Sequence, residues 1–404
     1  MADPQRAHAS ATAKITLHRT HAGPVAAGHP WVFAQAVQHV TGDPRAGDEV
    51  CVVDPSGRAL GRGFWSPDSA IVVRLLTRDG DLPLDRALFS ARVQDAIALR
   101  KLVDLPRADT TGYRLLHAEG DGLPGLIVDV YGDVLVMQLL SEGMLLRKEL
   151  ICHVLIEQLA PRAIVLAASG AGAKHVEGAP TESSTVYGAP VEQLVCRERG
   201  LRIELPAGLQ KTGYYFDQRE QRAEVERLAR DRDVLDACSY VGGFSLSAAR
   251  GGARSVLALD SSPPAIAAGT ELAALNGLSQ LQFQRADVRD ELAKQVEARR
   301  KYELVIFDPP KFVPTVKHLE RGRRAYRQLN AHAMRLTAPG GLLVTCSCSA
   351  ALGETDFLRM LSFAAGDAKR ELRVLRVMKQ GPDHPLLPAF SEGAYLKTAI
   401  AIVH

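Results

Sequence analysis

The chain has 404 residues, 46% hydrophobic and 24% charged, with 49 Lys and Arg against 46 Asp and Glu for a net charge of +3. At roughly 150 residues per domain that length predicts about two to three folded units, and the mixture excludes a chain dominated by disorder. No apolar run reaches the roughly 18 residues of a membrane span, and residues 1–13 lack a secretory-type apolar stretch, so no membrane partner is expected.

Residues 14–76 read as short strands broken by turns. Runs at 50–53 and 71–76 are β-rich, and Gly-Asp-Pro, Asp-Pro-Ser-Gly and Ser-Pro-Asp sequences punctuate them. A small all-β module over residues 12–80 is expected. Its aromatic pair, Trp31 and Phe33, either stacks on bases or forms the core of so small a unit. Residues 85–102 carry apolar side chains at helical spacing. Strand runs at 113–116, 126–130 and 134–140 and a second helix over 144–159 complete an α+β unit spanning 85–190. Residues 167–184 lack periodicity and read as a loop.

From about residue 191, strand runs at 234–236, 255–260, 281–283, 304–308 and 341–345 alternate with helical stretches such as 264–275 and 288–300. Repeated strand–helix units predict an α/β domain over 191–404, with a mostly parallel sheet covered on both faces. A β-rich run at 395–403 ends it.

Ligands bind such sheets outside the C-terminal strand ends. There the sequence puts Asp236, Asp260, Asp287 and Asp308. One such acid is commonly a helix cap, whereas four in successive units fit a mononucleotide-type site. The loop Asp236-Ala-Cys-Ser-Tyr-Val-Gly-Gly-Phe244 runs into a helix, and Gly242 and Gly243 let the backbone approach a ligand. It lacks the G-x-G-x-x-G fingerprint of pyrophosphate binding. With Asp260 set to accept from a ribose diol, a nucleoside cofactor without pyrophosphate fits, and S-adenosylmethionine is the candidate.

In Asp308-Pro-Pro-Lys-Phe312 the prolines remove two donors and fix φ, holding Asp308 toward the pocket and Phe312 near a base. Cys346 and Cys348 lie at i and i+2, roughly 7 Å apart along a strand, too far for a disulfide. No Cys or His pair has zinc-like spacing, so no metal is expected. A thiolate nucleophile opposite Asp308 remains, and spacing does not choose between the two cysteines. The six cysteines are too scattered for a disulfide framework, which suits a soluble, reduced, cytoplasmic protein. Residues 311–335 hold seven Lys or Arg against Glu320 alone, either a solvated helix face or a phosphate-holding surface.

Several stretches occur in a familiar order: Gly28-His-Pro-Trp-Val-Phe33, Gly120-Asp-Gly-Leu-Pro-Gly-Leu126, Gln210-Lys-Thr-Gly-Tyr-Tyr-Phe-Asp-Gln-Arg219, Asp308-Pro-Pro-Lys-Phe312, Ser347-Cys-Ser349, and Gly381-Pro-Asp-His-Pro385 with Tyr395-Leu-Lys397. In them nearly the whole chain resembles the RlmI type of 23S ribosomal RNA cytosine-5 methyltransferases. The resemblance implies an N-terminal PUA domain, a central α+β domain and a C-terminal Rossmann-like methyltransferase domain. It implies S-adenosylmethionine as cofactor and 23S ribosomal RNA as partner. Cys348 takes the position of the nucleophile and Asp308 that of its partner on the base. Lys211, Gln218, Arg219, Asp236, Ser239, Gly242, Asp260, Asp287 and Asp308 fall where the family holds its cofactor. Trp31, Phe312, Arg321, Arg323 and Arg324 are the expected RNA contacts. The loop Ala167-Ala-Ser-Gly-Ala-Gly172 is small and uncharged where relatives carry charge.

Other readings differ in what they need. Exocyclic-amine methylation shares the Asp-Pro-Pro motif and needs no thiol, and uracil-5 methylation uses the same thiol logic. A nicotinamide dehydrogenase shares the sheet, but the phosphate fingerprint it needs is missing here, which argues against it. A non-catalytic RNA-binding assembly factor has no use for both Asp308 and Cys348. The base that removes the C5 proton and the oligomeric state, a homodimer included, stay open.

Overall fold

The computed structural model describes residues 12–169, 176, 178–313 and 319–404. The first unit comprises β1 (Ala13–Leu17), α1 (Arg19–Ala26), β2 (Trp31–Phe33), β3 (Val37–Thr41), β4 (Glu49–Val53), β5 (Ala59–Trp65) and β6 (Ile71–Thr77). They form one sheet, ordered β2-β6-β5-β4-β1-β3, around Ile15, Val32, Val50, Val52 and Val73. Helix α1 had no sequence signal: it contains Pro24 and buries only Val25. Trp31 belongs neither to this core nor to an open stacking surface. Its indole Nε1 donates to Glu119 Oε1 at 2.8 Å and its ring meets Phe390 edge-on at 4.6 Å, so it is consumed in the seam between units.

The second unit begins with α2 (Arg86–Leu102), capped by Asp85, whose side chain accepts from the amides of Ala87 and Leu88. β7 (Gly112–His117), β8 (Leu126–Tyr131), β9 (Val134–Leu139), α3 (Glu142–Leu146), α4 (Lys148–Leu159), β10 (Ala163–Leu166) and β11 (Ser184–Gly188) follow, with sheet order β11-β10-β9-β8-β7. The single helix expected at 144–159 is two helices, α3 and α4, that meet at Arg147. The Arg147 guanidinium stands 3.7 Å over the Phe64 ring and so ties this break to β5. Within the loop expected at 167–184, residues 170–175 and 177 lie outside the described residues, and with them part of the uncharged Ala167-to-Gly172 stretch.

The third unit opens with a hairpin, β12 (Gln193–Glu198) and β13 (Leu201–Pro206), and α5 (Arg219–Leu228). The strand–helix alternation then runs β14 (Asp233–Ala237), α6 (Gly243–Arg250), β15 (Ser255–Asp260), α7 (Pro263–Leu275), β16 (Leu281–Arg285), α8 (Val288–Glu297) and β17 (Tyr302–Phe307). It continues through α9 (Leu319–Leu336), β18 (Thr337–Ser347), α10 (Glu354–Ala368), β19 (Leu372–Met378) and β20 (Lys397–Val403). The sheet order is β16-β15-β14-β17-β18-β20-β19, parallel except that β20 runs against both β18 and β19. Chain order reverses between β14 and β17, which opens a crevice at their C-terminal ends. Apolar side chains fill both faces, among them Val234, Leu304 and Val344 on one and Leu235, Val305 and Leu343 on the other. Among the described residues, no helix is long and apolar enough to cross a membrane.

Candidate active site

The crevice is built from strand ends. Asp236, next to last in β14, is fully buried. Its Oδ2 accepts from Ser245 Oγ at 2.6 Å, and burial pushes its carboxyl up to about 7. The following loop is bent tightly enough that two residues with side chains, Cys238 and Tyr240, sit at φ 66° and 52°. Such conformations cost of order 1–3 kcal/mol each and cluster at ligand clamps. Asp260, ending β15, holds this bend: its Oδ2 accepts from Tyr240 N at 2.8 Å and its Oδ1 from Ser262 N at 2.9 Å. Gly242 then starts α6 at φ 83°, where a Cβ would strike the Phe283 ring at 2.4 Å.

Asp308 follows β17, the other side of the crevice. Its Oδ2 accepts from Gln218 Nε2 at 3.1 Å. Burial first, then the nearby charges of Asp217 and Asp236, push its carboxyl up to about 7. The two cysteines at the end of β18 part company. Cys346 is 0% exposed inside the sheet and its Sγ accepts from Thr398 Oγ1 at 3.2 Å, which makes it a core residue. Cys348, just beyond the strand, is partly exposed. Burial and the charge of Asp308 raise its thiol above the ordinary value.

The backbone around Cys348 is pinned. Lys397 Nζ donates to Ser349 O at 2.7 Å and to Tyr395 O at 2.8 Å, while Ser349 Oγ pairs with Tyr326 OH at 3.2 Å. Lys397 is itself buried, which pushes its ammonium down to about 8. Lys397, Tyr395, Tyr215 and Asp217 were not foreseen individually. All four lie in stretches quoted for the resemblance, 210–219 and 395–397, but none had been given a role of its own.

Among the buried oxygens around the crevice that meet no hydrogen-bond partner among the described residues are Asp236 Oδ1, Ser239 Oγ and Gln218 Oε1. Unsatisfied acceptors of this kind are costly and call for a ligand that donates. S-adenosylmethionine carries an ammonium, ribose hydroxyls and an adenine amine, so the residues present fit it.

Other expected contacts are placed differently. Arg219 is buried with its Nη1 on Asp383 Oδ2 at 3.1 Å and its Nη2 on Gly112 O at 2.8 Å, a brace between units rather than a cofactor ligand. Asp287 is an exposed cap whose Oδ1 accepts from the amides of Arg289 and Asp290 at the start of α8. Lys211 is exposed, with its Nζ 4.9 Å from the centre of the Tyr215 ring. Phe312 packs edge-on against Tyr326 at 4.9 Å, turned to the core instead of a base. Of the three arginines on α9, Arg323 is engaged by Glu320 at 3.2 Å and Asp356 at 2.8 Å, whereas Arg321 and Arg324 are exposed. Residues 314–318 of the basic stretch lie outside the described residues.

A reversed-order parallel sheet with acids at its switch point, behind a small β module, defines the class: a methyltransferase domain preceded by a PUA-like domain. Comparison with known proteins agrees. Residues 15–78 match the PUA-like domain family and residues 113–400 the S-adenosylmethionine-dependent methyltransferase family. The ribosomal RNA large subunit methyltransferase I of Shewanella denitrificans is 39% identical over 384 residues, covering 93% of this chain and 95% of its own. That of Tolumonas auensis is 38% identical, covering 91% and 94%. A solved methyltransferase complexed with SAH superposes with a TM-score of 0.84 at 20% identity over 96% of this chain and 99% of its own. A SAM-dependent methyltransferase from Streptococcus mutans gives 0.83 at 20% identity with the same coverage, a likeness of fold. The chain belongs to the ribosomal RNA large subunit methyltransferase I family of S-adenosylmethionine-dependent methyltransferases.

Proposed function

We propose that the chain methylates C5 of a cytosine in 23S ribosomal RNA, with Cys348 as covalent nucleophile. The observation that carries this reading is the pairing of a partly exposed Cys348 with Asp308, whose carboxyl is pushed up to about 7, across one crevice. C5 of cytosine is a weak nucleophile. Addition of the Cys348 thiolate to C6 turns the ring into an enamine with its electron density on C5. Asp308, with its carboxyl pushed up to about 7, is protonated in a substantial fraction of the enzyme at neutral pH and in that form donates to N3, where charge develops during that addition. N3 of cytosine is an acceptor, whereas N3 of uracil carries a hydrogen, so a protonated Asp308 favours cytosine. When bound, held by Asp236, Ser239, Gln218 and Asp260, S-adenosylmethionine supplies the electrophilic methyl group that the activated C5 takes.

The substrate follows from the relatives' name and the PUA-like domain. The base must leave its stack to reach Cys348. Arg321 and Arg324 on α9 are the exposed cations that would hold the flanking phosphates. Ribosomal RNA as substrate implies a cytoplasmic protein.

The test is transfer of labelled methyl from S-adenosylmethionine to unmodified ribosomal RNA by wild type and Cys348→Ala, with products identified by mass spectrometry. 5-Methylcytosine from wild type and none from the variant is the expected result. Label that persists in Cys348→Ala would overturn the covalent route and point to methylation of an exocyclic amine, which needs no thiol.

A further inference from the structure

Cysteine addition leaves a chemical debt: once C5 carries its methyl group, the proton on that carbon must go before Cys348 can depart. Lys311 follows the two prolines, so no second thiol stands at that position to assist. We propose that Asp217 is the base that removes the C5 proton, a role that rests on the cysteine mechanism above.

Asp217 lies in the tight turn Phe216–Gln218 that leads into α5. Its Oδ2 accepts from Tyr395 OH at 2.6 Å. Its Oδ1 is buried and meets no hydrogen-bond partner among the described residues. A fold that fixes one carboxyl oxygen and leaves the other buried and unused forgoes about 1–3 kcal/mol, a cost that a reacting group explains.

Hydrogen bonds link Asp217 to the surroundings of both Asp308 and Cys348. The next residue, Gln218, holds Asp308, and the phenol that orients Asp217 belongs to Tyr395, whose carbonyl accepts from Lys397 Nζ. The same Nζ holds Ser349 O beside Cys348. Asp217 is thus tied to both walls of the crevice, and its charge is felt by Asp308 and by Cys348 alike. Neighbouring groups are engaged otherwise: Asp308 serves N3, Lys397 is committed to two carbonyls, and Tyr215 OH donates to Gln210 Oε1 at 3.1 Å. Asp217 Oδ1 takes the proton from C5, and the C–H electron pair becomes the C5–C6 double bond. The C6–S bond breaks with its pair returning to Cys348 as thiolate. The resulting acid loses its proton to solvent as product leaves.

The experiment incubates Asp217→Asn with methyl-labelled S-adenosylmethionine and unmodified ribosomal RNA, then resolves the mixture under denaturing conditions. Turnover is expected to fall about 100-fold or more, the usual contribution of a general base. Labelled RNA should meanwhile accumulate covalently attached to protein. The attachment should vanish in Asp217→Asn/Cys348→Ala, and Asp217→Glu, which restores an acceptor oxygen, should release free labelled RNA. Turnover at the wild-type rate, or lost turnover without a labelled adduct, overturns the proposal. Binding of S-adenosylmethionine by calorimetry reports folding. If Asp217→Asn fails to bind it, Tyr395→Phe takes its place: it frees the carboxyl from its orienting bond and must also build up the labelled adduct, whose absence overturns the proposal. Wild type on RNA containing 5-fluorocytidine, whose fluorine no base can remove, separates the two readings. No adduct there overturns the cysteine mechanism and the base together. An adduct there, with none from Asp217→Asn on ordinary RNA, overturns the base alone.

Discussion

Residue by residue, the crevice separates groups that look equivalent in sequence. Cys346 and Cys348 are two positions apart, yet one is a strand residue sealed in the sheet and the other a loop residue facing the crevice. Asp260 ends a strand and Asp308 follows one, but Asp260 accepts two backbone amides while Asp308 faces a single side-chain amide and two other acids. The raised pKa of Asp308 has a kinetic consequence. In the mechanism proposed above, productive enzyme holds Asp308 protonated and Cys348 ionised, although the carboxyl titrates at about 7 and burial pushes the thiol above its ordinary value. Below pH 7 Asp308 is protonated and the rate climbs with the thiolate fraction. Between the two values loss of one proton offsets loss of the other, giving a plateau, and above the thiol's value the rate falls as Asp308 keeps losing its proton. Asp308→Asn keeps a donor toward N3 that does not titrate. Its kcat/KM should be lower but should climb past pH 7 and level off only at the thiol's value, with no alkaline fall. A variant profile that still bends near 7 would remove Asp308 from this role.

At the scale of elements, what the sequence made legible was whatever carried its own periodicity. The strands β14, β15, β17 and β18 contain apolar runs with an acid or a cysteine at or next to their ends, so both the sheet and the crevice residues on its edge could be read. Helices without an apolar stripe could not: α5 is rich in charge and its buried set is Arg219, Gln221, Arg222 and Val225, three of them polar. α10 and β19 went unseen, β19 because its outward side chains remain exposed at the sheet edge. Roles set by partners from distant segments were equally illegible, as with Arg219, whose brace lies more than a hundred residues away at Asp383. The same distinction governs α9. Its composition announces a cationic face, but Arg323 is neutralised by Glu320 and Asp356, and Arg327 by Asp367. RNA binding measured across roughly 50–200 mM salt should therefore respond unequally, with Arg321→Ala and Arg324→Ala each lowering the salt slope by about 1 and Arg323→Ala by less. Equal slopes for all three would place the phosphate backbone elsewhere.

For the whole molecule, the question is what keeps a PUA-like module, a central sheet and a methyltransferase sheet in one arrangement. The loop between β19 and β20 answers much of it. Asp383, wholly buried, accepts from Arg114 N at 3.0 Å on β7 and from Arg219 Nη1 at 3.1 Å on α5. Its carbonyl accepts from Arg100 Nη2 at 2.7 Å on α2, and Arg100 also grips Asp121. Seven residues on, Phe390 packs against Trp31 of the first unit. One loop of the methyltransferase domain therefore touches both preceding units, and its electrostatic centre is a single carboxylate held well below the usual range by His384 and Arg219. Removing it leaves Arg219 buried without that partner, a loss of about 3–5 kcal/mol in comparable buried pairs. Because the loop also carries Tyr395, which orients Asp217, the damage should reach the crevice. Asp383→Ala is expected to lower the denaturant midpoint and to separate an unfolding transition of the central unit from that of the methyltransferase unit in calorimetry. S-Adenosylmethionine should still bind, since Asp236, Ser239 and Asp260 keep their own supports. Asp383→Asn retains an acceptor for Arg114 N and should fall between. A wild-type midpoint in Asp383→Ala would mean that apolar contacts such as Trp31 on Phe390, and not this carboxylate, hold the units together.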